Sequence, residues 1–418
     1  MSKVALSELA VNGGPKVRRK PWPGRSLLGQ EEKAAVDALF DQAIATGQAF
    51  GYDGPVEKAY CEEFSQYMGG GFTDAVNSGS NALYVALRAL DLPPYSEVIV
   101  SCITDAGGMM PIPLNNLIPV VADAAPGGYN IGPEQVEAMI TPLTSAIVVA
   151  HIMGEPVDMD GIMAIARRYN LRVVEDCAQA HSAKLNGKPL GSFGDIGVFS
   201  TMFGKHHITG SQGGLVFTKD EDLYWRIRRA SDRGKPHGCP AGSTNQIASL
   251  NCNLGDLGAA IGRVQLKKLP AIVAARRRLV AAISEGLREI PAINVPKLLP
   301  GAEASYWYFR LEVNTEAITC DKATFVKALQ AEGILLTPSY AHFPHRMEWF
   351  RKQRVFGQSG LPWSSPEYKG NNYRDFPIPN AEAATAKQFN LHVYESWGEE
   401  EINDILAAFR KVASAYSR

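Results

Sequence analysis

Lys205 sits in MFGKHHITGSQGG (202–214), one cation among small residues and two histidines in a chain with few basic clusters. A lysine in a glycine-rich turn is ordinarily solvated. A partly desolvated one gives up its proton more readily and can condense with a carbonyl to form a Schiff base. Upstream, the apolar run in VVEDCAQAHSA (173–183) ends on Glu175 and Asp176. A carboxylate at a strand end either caps the next turn or pairs with a protonated ring nitrogen. Earlier still, Asn77-Ser78-Gly79-Ser80 precedes a strong helical pattern. Small residues at a helix start let backbone N–H groups and the positive end of the dipole converge on an anion, although Ser and Asn also serve there as plain N-caps.

Each signal is weak alone, and their order strengthens them. Anion cradle, carboxylate and lysine form the set that pyridoxal 5'-phosphate (PLP) requires: a phosphate site, a partner for the pyridinium nitrogen and an amine to hold the aldehyde. PLP is therefore the expected cofactor, with Lys205 as the amine.

The elements that must position these residues read as α/β. EVIVSC (97–102), IPVVAD (118–123), SAIVVAHIMG (145–154), LRVVEDCAQ (171–179), IGVFST (196–201) and GGLVFT (213–218) have the β-branched composition of strands. Amphipathic segments at 132–140 and 159–169 alternate with them. Such alternation implies a mostly parallel central sheet flanked by helices, which binds ligands outside the carboxyl ends of its strands. After Lys267 the pattern changes to a long basic helix (about 269–289), a strand in YWYFRLEV (306–313), a helix at 322–333 and a final helix at 399–415. The expected division is an N-terminal arm (1–30), a large cofactor-binding domain (31–265) and a smaller C-terminal α/β domain (266–418).

Composition narrows the partners. The chain has 42 basic and 43 acidic residues and a formal net charge of −1, which leaves no global field for nucleic acid or an anionic membrane. No basic recognition helix is visible at either end. The six cysteines are scattered without a C-x-x-C pair, the pattern of free thiols in a reducing compartment, and no metal site is expected. The segment MSKVALSELAVNGGPKVRRKPWP has no apolar run of signal-peptide or membrane-spanning length, so the expected location is cytoplasmic.

From about residue 20 to 410 the chain resembles the DegT/StrS-type aminotransferases of amino sugars and aminocyclitols, PLP enzymes of fold type I. Ser78-Gly79-Ser80 matches the family's phosphate-binding turn, and Glu175 to Ser182 matches its E-D-x-A-Q-x-H-G strand. Gly194 to Ser200 matches G-D-x-x-x-F-S, with Lys205 five residues past the serine. The resemblance implies that Lys205 is the Schiff-base lysine and proton shuttle. It also implies that Asp176 pairs with the pyridine nitrogen, Gln179 lies near the cofactor's phenolic oxygen, and Ser200 bonds the phosphate. Asn251 to Gly262 matches a further segment, which implies that Asn251 reaches the phosphate of a neighbouring subunit in a homodimer with shared active sites.

The chain also departs from the pattern. Asp105 stands where the family has an aromatic residue near the cofactor ring; either another side chain covers the ring or this carboxylate meets a polar substrate. Asn253 and Gln212 replace an arginine and an acidic residue. HHIT (206–209) resembles the loop of the related ketosugar 3-dehydratases, which carry histidine in place of the lysine, so dehydration and catalytically silent PLP sensing stand as rival readings. The implied activity is transfer of an amino group from glutamate or glutamine to a keto sugar or inosose-like keto-cyclitol. The leader LAVNGGPKVRRKPWP (9–23) resembles the scyllo-inosose branch. His206, Tyr340, His342 and His392 are the candidate substrate contacts.

Overall fold

The β-branched runs of the first half pair into a sheet because they are buried on both faces and bounded by turn residues. In the computed structural model, which describes residues 3–418, they form β1 (Phe72–Val76), β2 (Glu97–Ser101), β3 (Ile118–Ala122), β4 (Thr144–Ala150) and β5 (Arg172–Asp176). A short hairpin follows, β6 (Lys184–Leu185) and β7 (Lys188–Pro189), then β8 (Ile196–Ser200) and β9 (Gly214–Thr218). Seven of these make one sheet in the order β1-β9-β8-β5-β4-β2-β3, parallel throughout except that β9 runs against both its neighbours. The expected strands at 145–154 and 171–179 stop at Ala150 and Asp176. The chain then turns, so both carboxylates of the second run lie at the strand's carboxyl end.

The second half builds another layer: β10 (Ile293–Asn294), β11 (Ala302–Glu303), β12 (Phe309–Val313), β13 (Leu336–Thr337) and β14 (Gln388–Leu391). Four of them form an antiparallel sheet ordered β10-β12-β14-β13, while β11 joins the β6–β7 hairpin. Two apolar cores result. The larger surrounds the seven-stranded sheet, and the smaller joins Leu279 to Leu287, β12, β14 and the helix Glu399–Tyr416.

One helix, Asp256–Leu287, runs through both cores and begins well before the expected start near residue 269. Pro270 lies inside it. A helix-interior proline removes one hydrogen bond and crowds the preceding turn. Leu266, Leu269, Ile272 and Val273 are buried around it, and their packing outweighs that local cost. Core membership changes between Val273 and Leu279, and residues Tyr340 to Ala384 pack back against the larger core. The N-terminal segment packs on the smaller core through Leu9, Val11, Val17 and Trp22.

Candidate active site

Lys205 lies in the connection between β8 and β9, at the carboxyl end of β8. The loop closes on itself: Thr201 N–H donates to the Gly213 carbonyl (2.8 Å), Phe203 N–H to Ser211 (2.9 Å) and Lys205 N–H to Met202 (2.8 Å). Only 9% of Lys205 is exposed. Its Nζ stands 4.1 Å from the centroid of the Trp307 ring, an arrangement that attracts a cation electrostatically. Burial lowers the lysine's pKa to about 8, against the opposing pull of Asp176 and Asp105. The free amine, a nucleophile and base, is therefore populated far more near neutral pH than that of an ordinary lysine.

The anion cradle is a helix start. Ser78 caps the helix Gly79–Leu90, its Oγ accepting from Asn81 N–H at 3.1 Å. Gly79 passes so close to β8 that a Cβ there would meet Ser200 Cβ at 2.6 Å. Only glycine lets the helix N-terminus approach Ser200 so closely. Ser80 faces the turn at 105–108, since a Cβ on Gly107 would strike Ser80 Oγ. That turn is fixed by Asp105, whose Oδ1 accepts from Gly107 N–H at 2.8 Å. Asp105 is exposed but close enough to Lys205 and Asp176 to act on the pKa of each.

The structure separates the two carboxylates that the sequence left open. Glu175 is fully buried and accepts from the N–H groups of Gly191 (2.8 Å), Phe193 (2.6 Å) and Gly194 (2.8 Å), with His151 Nε2 at 3.3 Å. Its oxygens fix a turn. Asp176 is half-buried and bonds only Ala178 N–H (3.0 Å), leaving acceptor capacity toward Lys205's side of the site. Burial raises its pKa, with Ala178 N–H and Lys205 acting in the opposite direction.

Gln179 is bound at both ends of its amide: Oε1 accepts from Met153 N–H (2.9 Å) and Nε2 donates to Tyr340 Oη (2.6 Å). One of its two N–H donors is thus taken by Tyr340, which is buried and packs its ring 4.6 Å from that of His342. His342 is exposed, and its carbonyl accepts from Thr104 N–H (3.2 Å). His392 is half-buried between Thr337 Oγ1 (3.1 Å) and Tyr394 Oη (3.2 Å), its ring 4.8 Å from Tyr308. Asn251 is exposed on the surface, its Oδ1 accepting from Asn253 Nδ2 at 2.7 Å.

One assignment is corrected. His206, expected among the substrate contacts, has 0% exposure and its Nε2 faces the Ser305 carbonyl at 3.1 Å. Burial drives its pKa far below the usual value. It forms a neutral layer beneath the lysine loop with His181 and His207, whose pKa values burial lowers to about 3 and about 4. His181 bonds the Ser200 carbonyl at 2.8 Å, and His207 bonds the Gly262 carbonyl at 3.0 Å. These rings support the loop and do not reach its solvent side.

Trp307 was not singled out by the sequence reading beyond its place in an aromatic run. It is delivered by a splice between two segments far apart in the chain: Trp307 N–H donates to Met153 (2.8 Å) and Ser305 N–H to Gly154 (3.0 Å). Gly154 has φ +75°, and a Cβ there would meet Ser305 Oγ at 2.6 Å. The flanking Met153 and Tyr306 also hold positive φ (64° and 55°). The glycine in HIMG was the available signal.

Known proteins share this fold. The model of the DegT/DnrJ/EryC1/StrS aminotransferase family matches residues 30–410. The chain belongs to that family. It is 30% identical over 424 residues to the L-glutamine:2-deoxy-scyllo-inosose aminotransferase of Streptomyces lividus, covering 97% of each chain. It is also 30% identical over 354 residues to the GDP-perosamine synthase of Caulobacter vibrioides, covering 84% of this chain and 88% of that one. An aminotransferase structure from Psychrobacter cryohalolentis superposes with a TM-score of 0.79 at 26% identity, over 93% of this chain and 97% of that one. The fold is that of the PLP-dependent aminotransferases, and PLP is the family's cofactor. The donor set here fits it: a glycine-tight cradle for phosphate, a carboxylate with spare acceptor capacity, and a lysine whose burial favours the free amine.

Proposed function

We propose that this aminotransferase carries an amino group from glutamate or glutamine to an inosose-like keto-cyclitol or a keto sugar, at a site completed by a second copy of the chain. PLP, when bound, serves as the electron sink for chemistry at the donor's α-carbon. Lys205 would hold the cofactor's aldehyde carbon, and its amine would move a proton as general base and acid. Asp176 keeps the ring nitrogen protonated. Ser78, Gly79, Ser80 and Ser200 hold the phosphate, and Asn251 of each protomer is assigned to the other protomer's phosphate. Asp105 would meet a polar substituent of the acceptor, or another side chain would cover the ring. Gln179 holds Tyr340 by a hydrogen bond and would lie near the cofactor's phenolic oxygen, while Tyr340, His342 and His392 would line the acceptor's approach.

The observation that carries this reading is a buried lysine of lowered pKa opposite Asp176, at the carboxyl ends of β5 and β8. Full-length similarity to a 2-deoxy-scyllo-inosose aminotransferase supports the cyclitol side, and the perosamine synthase supports the sugar side. Dehydration is disfavoured by His206, whose ring is turned into the protein away from the position the rival reading needs. The test is amino transfer from glutamine and glutamate to a panel of inososes and nucleotide-linked keto sugars, followed by mass spectrometry of the aminated product. Transfer to a ring ketone is expected. Release of a deoxygenated ketone without an amine would refute it.

A further inference from the structure

Trp307, whose ring carries Lys205 Nζ, also lines a cavity of about 550 Å³ together with Arg25, Leu28, Arg276, Tyr308 and Tyr394. Two guanidinium groups meet one carboxylate there. Arg276 donates from Nε to Glu395 Oε2 (2.8 Å) and from Nη1 to the Tyr306 carbonyl (2.8 Å), and its Nη2 also pairs with Glu395. Arg25 donates from Nε to Glu395 Oε1 (2.9 Å) and from Nη1 to the Gly204 carbonyl (2.6 Å). Its Nη2 is buried and has no acceptor.

The charges do not balance. Burial works against ionising Glu395, but Arg276 and Arg25 outweigh it and hold its pKa below the ordinary carboxylate value. Burial lowers Arg276 to about 10, and keeps His206 and His392 neutral beside it. The cluster therefore presents two positive charges against one negative. A buried guanidinium with an unused donor is costly until an anion completes it. Arg25 Nε and Nη1 are taken, so Nη2 is the nitrogen left to donate to an oxyanion, from a guanidinium that stays charged, and the Tyr394 ring, 5.9 Å from the Arg25 guanidinium carbon, walls the space.

We infer that this cavity is a subsite for an oxyanion of the substrate, a carboxylate or a phosphate, with Arg25 as its anchoring residue. The inference rests on the amino-transfer reading for what enters the site. An amino-acid donor brings a carboxylate, a phosphorylated or nucleotide-linked acceptor brings a phosphate, and a free keto-cyclitol brings neither.

The experiment is calorimetric titration of the holoenzyme with glutarate and, separately, with inorganic phosphate, for the wild type, Arg25→Gln and Arg25→Lys. Expected is binding of one anion to the wild type, weakened about tenfold or more in Arg25→Gln. Glutarate as the ligand assigns the subsite to the donor, with donor KM rising in the variants. Phosphate assigns it to the acceptor. Arg25→Lys keeps a charge beside Glu395, and carries the test if Arg25→Gln fails to fold. Binding of neither anion, or equal binding by wild type and both variants, overturns the proposal. Because no turnover is needed, a protein that binds through Arg25 but transfers no amine defeats the functional reading and leaves the subsite standing.

Discussion

At Lys205 the physical conflict is between burial and charge. The folded chain holds its pKa near 8, against an ordinary value of 10.5. Below pH 8 the lysine is protonated in both folded and unfolded chains, and its burial cost is fully present. Between those two values the unfolded chain binds more protons, so stability rises with pH. In cofactor-free protein, Lys205→Met is expected to be more stable than wild type at pH 7, by on the order of 3 kcal/mol. The gain should shrink toward zero as pH rises to 10.5, which denaturant titrations across that range measure. A gain that does not change with pH would mean that the lysine is not desolvated. Asp176→Asn is isosteric and cannot ionise. It should keep the cofactor bound by its phosphate yet slow amino transfer, and cofactor content measured beside the rate separates the two effects. The places of Asp176 at a strand end and of Lys205 in the following loop were legible in the sequence because local strand and turn signals set them. His206 was expected at the substrate because nothing local in HHIT shows which way its rings face, and the fold buries both His206 and His207.

At the scale of elements, the site depends on how closely the helix Gly79–Leu90 approaches β8. Gly79→Ala places a methyl 2.6 Å from Ser200 Cβ. An overpacked contact of that kind costs about 1–3 kcal/mol, so a lowered melting temperature and weaker cofactor retention are expected. Adding Ser200→Gly should recover part of the stability loss. Strict additivity of the two changes would show that this contact does not set the spacing. Sheet strands were readable from β-branched runs, and the carboxyl-end placement of Asp176 followed from them. The helix Asp256–Leu287 was expected only from about residue 269, and Pro270, a residue type common at helix starts, sits in its interior. The burial that overrides it is a tertiary property. Trp307 escaped for a similar reason: its position depends on the splice between 153–154 and 305–307, two segments far apart in the chain.

At the scale of the molecule, Asn251 is exposed, and the role proposed for it is at the phosphate of a second copy of the chain. Leu28, Phe40, Ile44, Phe203, Leu250 and Leu257 are also exposed apolar residues, a costly set to leave in water. A homodimer is expected by sedimentation, and mixed subunits test whether sites are shared. Lys205→Ala and Asn251→Asp homodimers should both be impaired, whereas refolding them together should return activity in the hybrid, whose one site combines an intact lysine with an intact partner asparagine. Absence of recovery in verified hybrids would place Asn251 outside the partner's site. No helix among the described residues is long and apolar enough to cross a membrane. The first measurement to make concerns the lysine itself: borohydride reduction of the PLP-loaded protein, then peptide mass mapping with and without prior addition of glutamine or glutamate. A cofactor-sized mass increment on the peptide containing Lys205, lost when the donor is added first, is the expected result. An increment on another lysine, or none, would contradict the assignment on which the whole site is built.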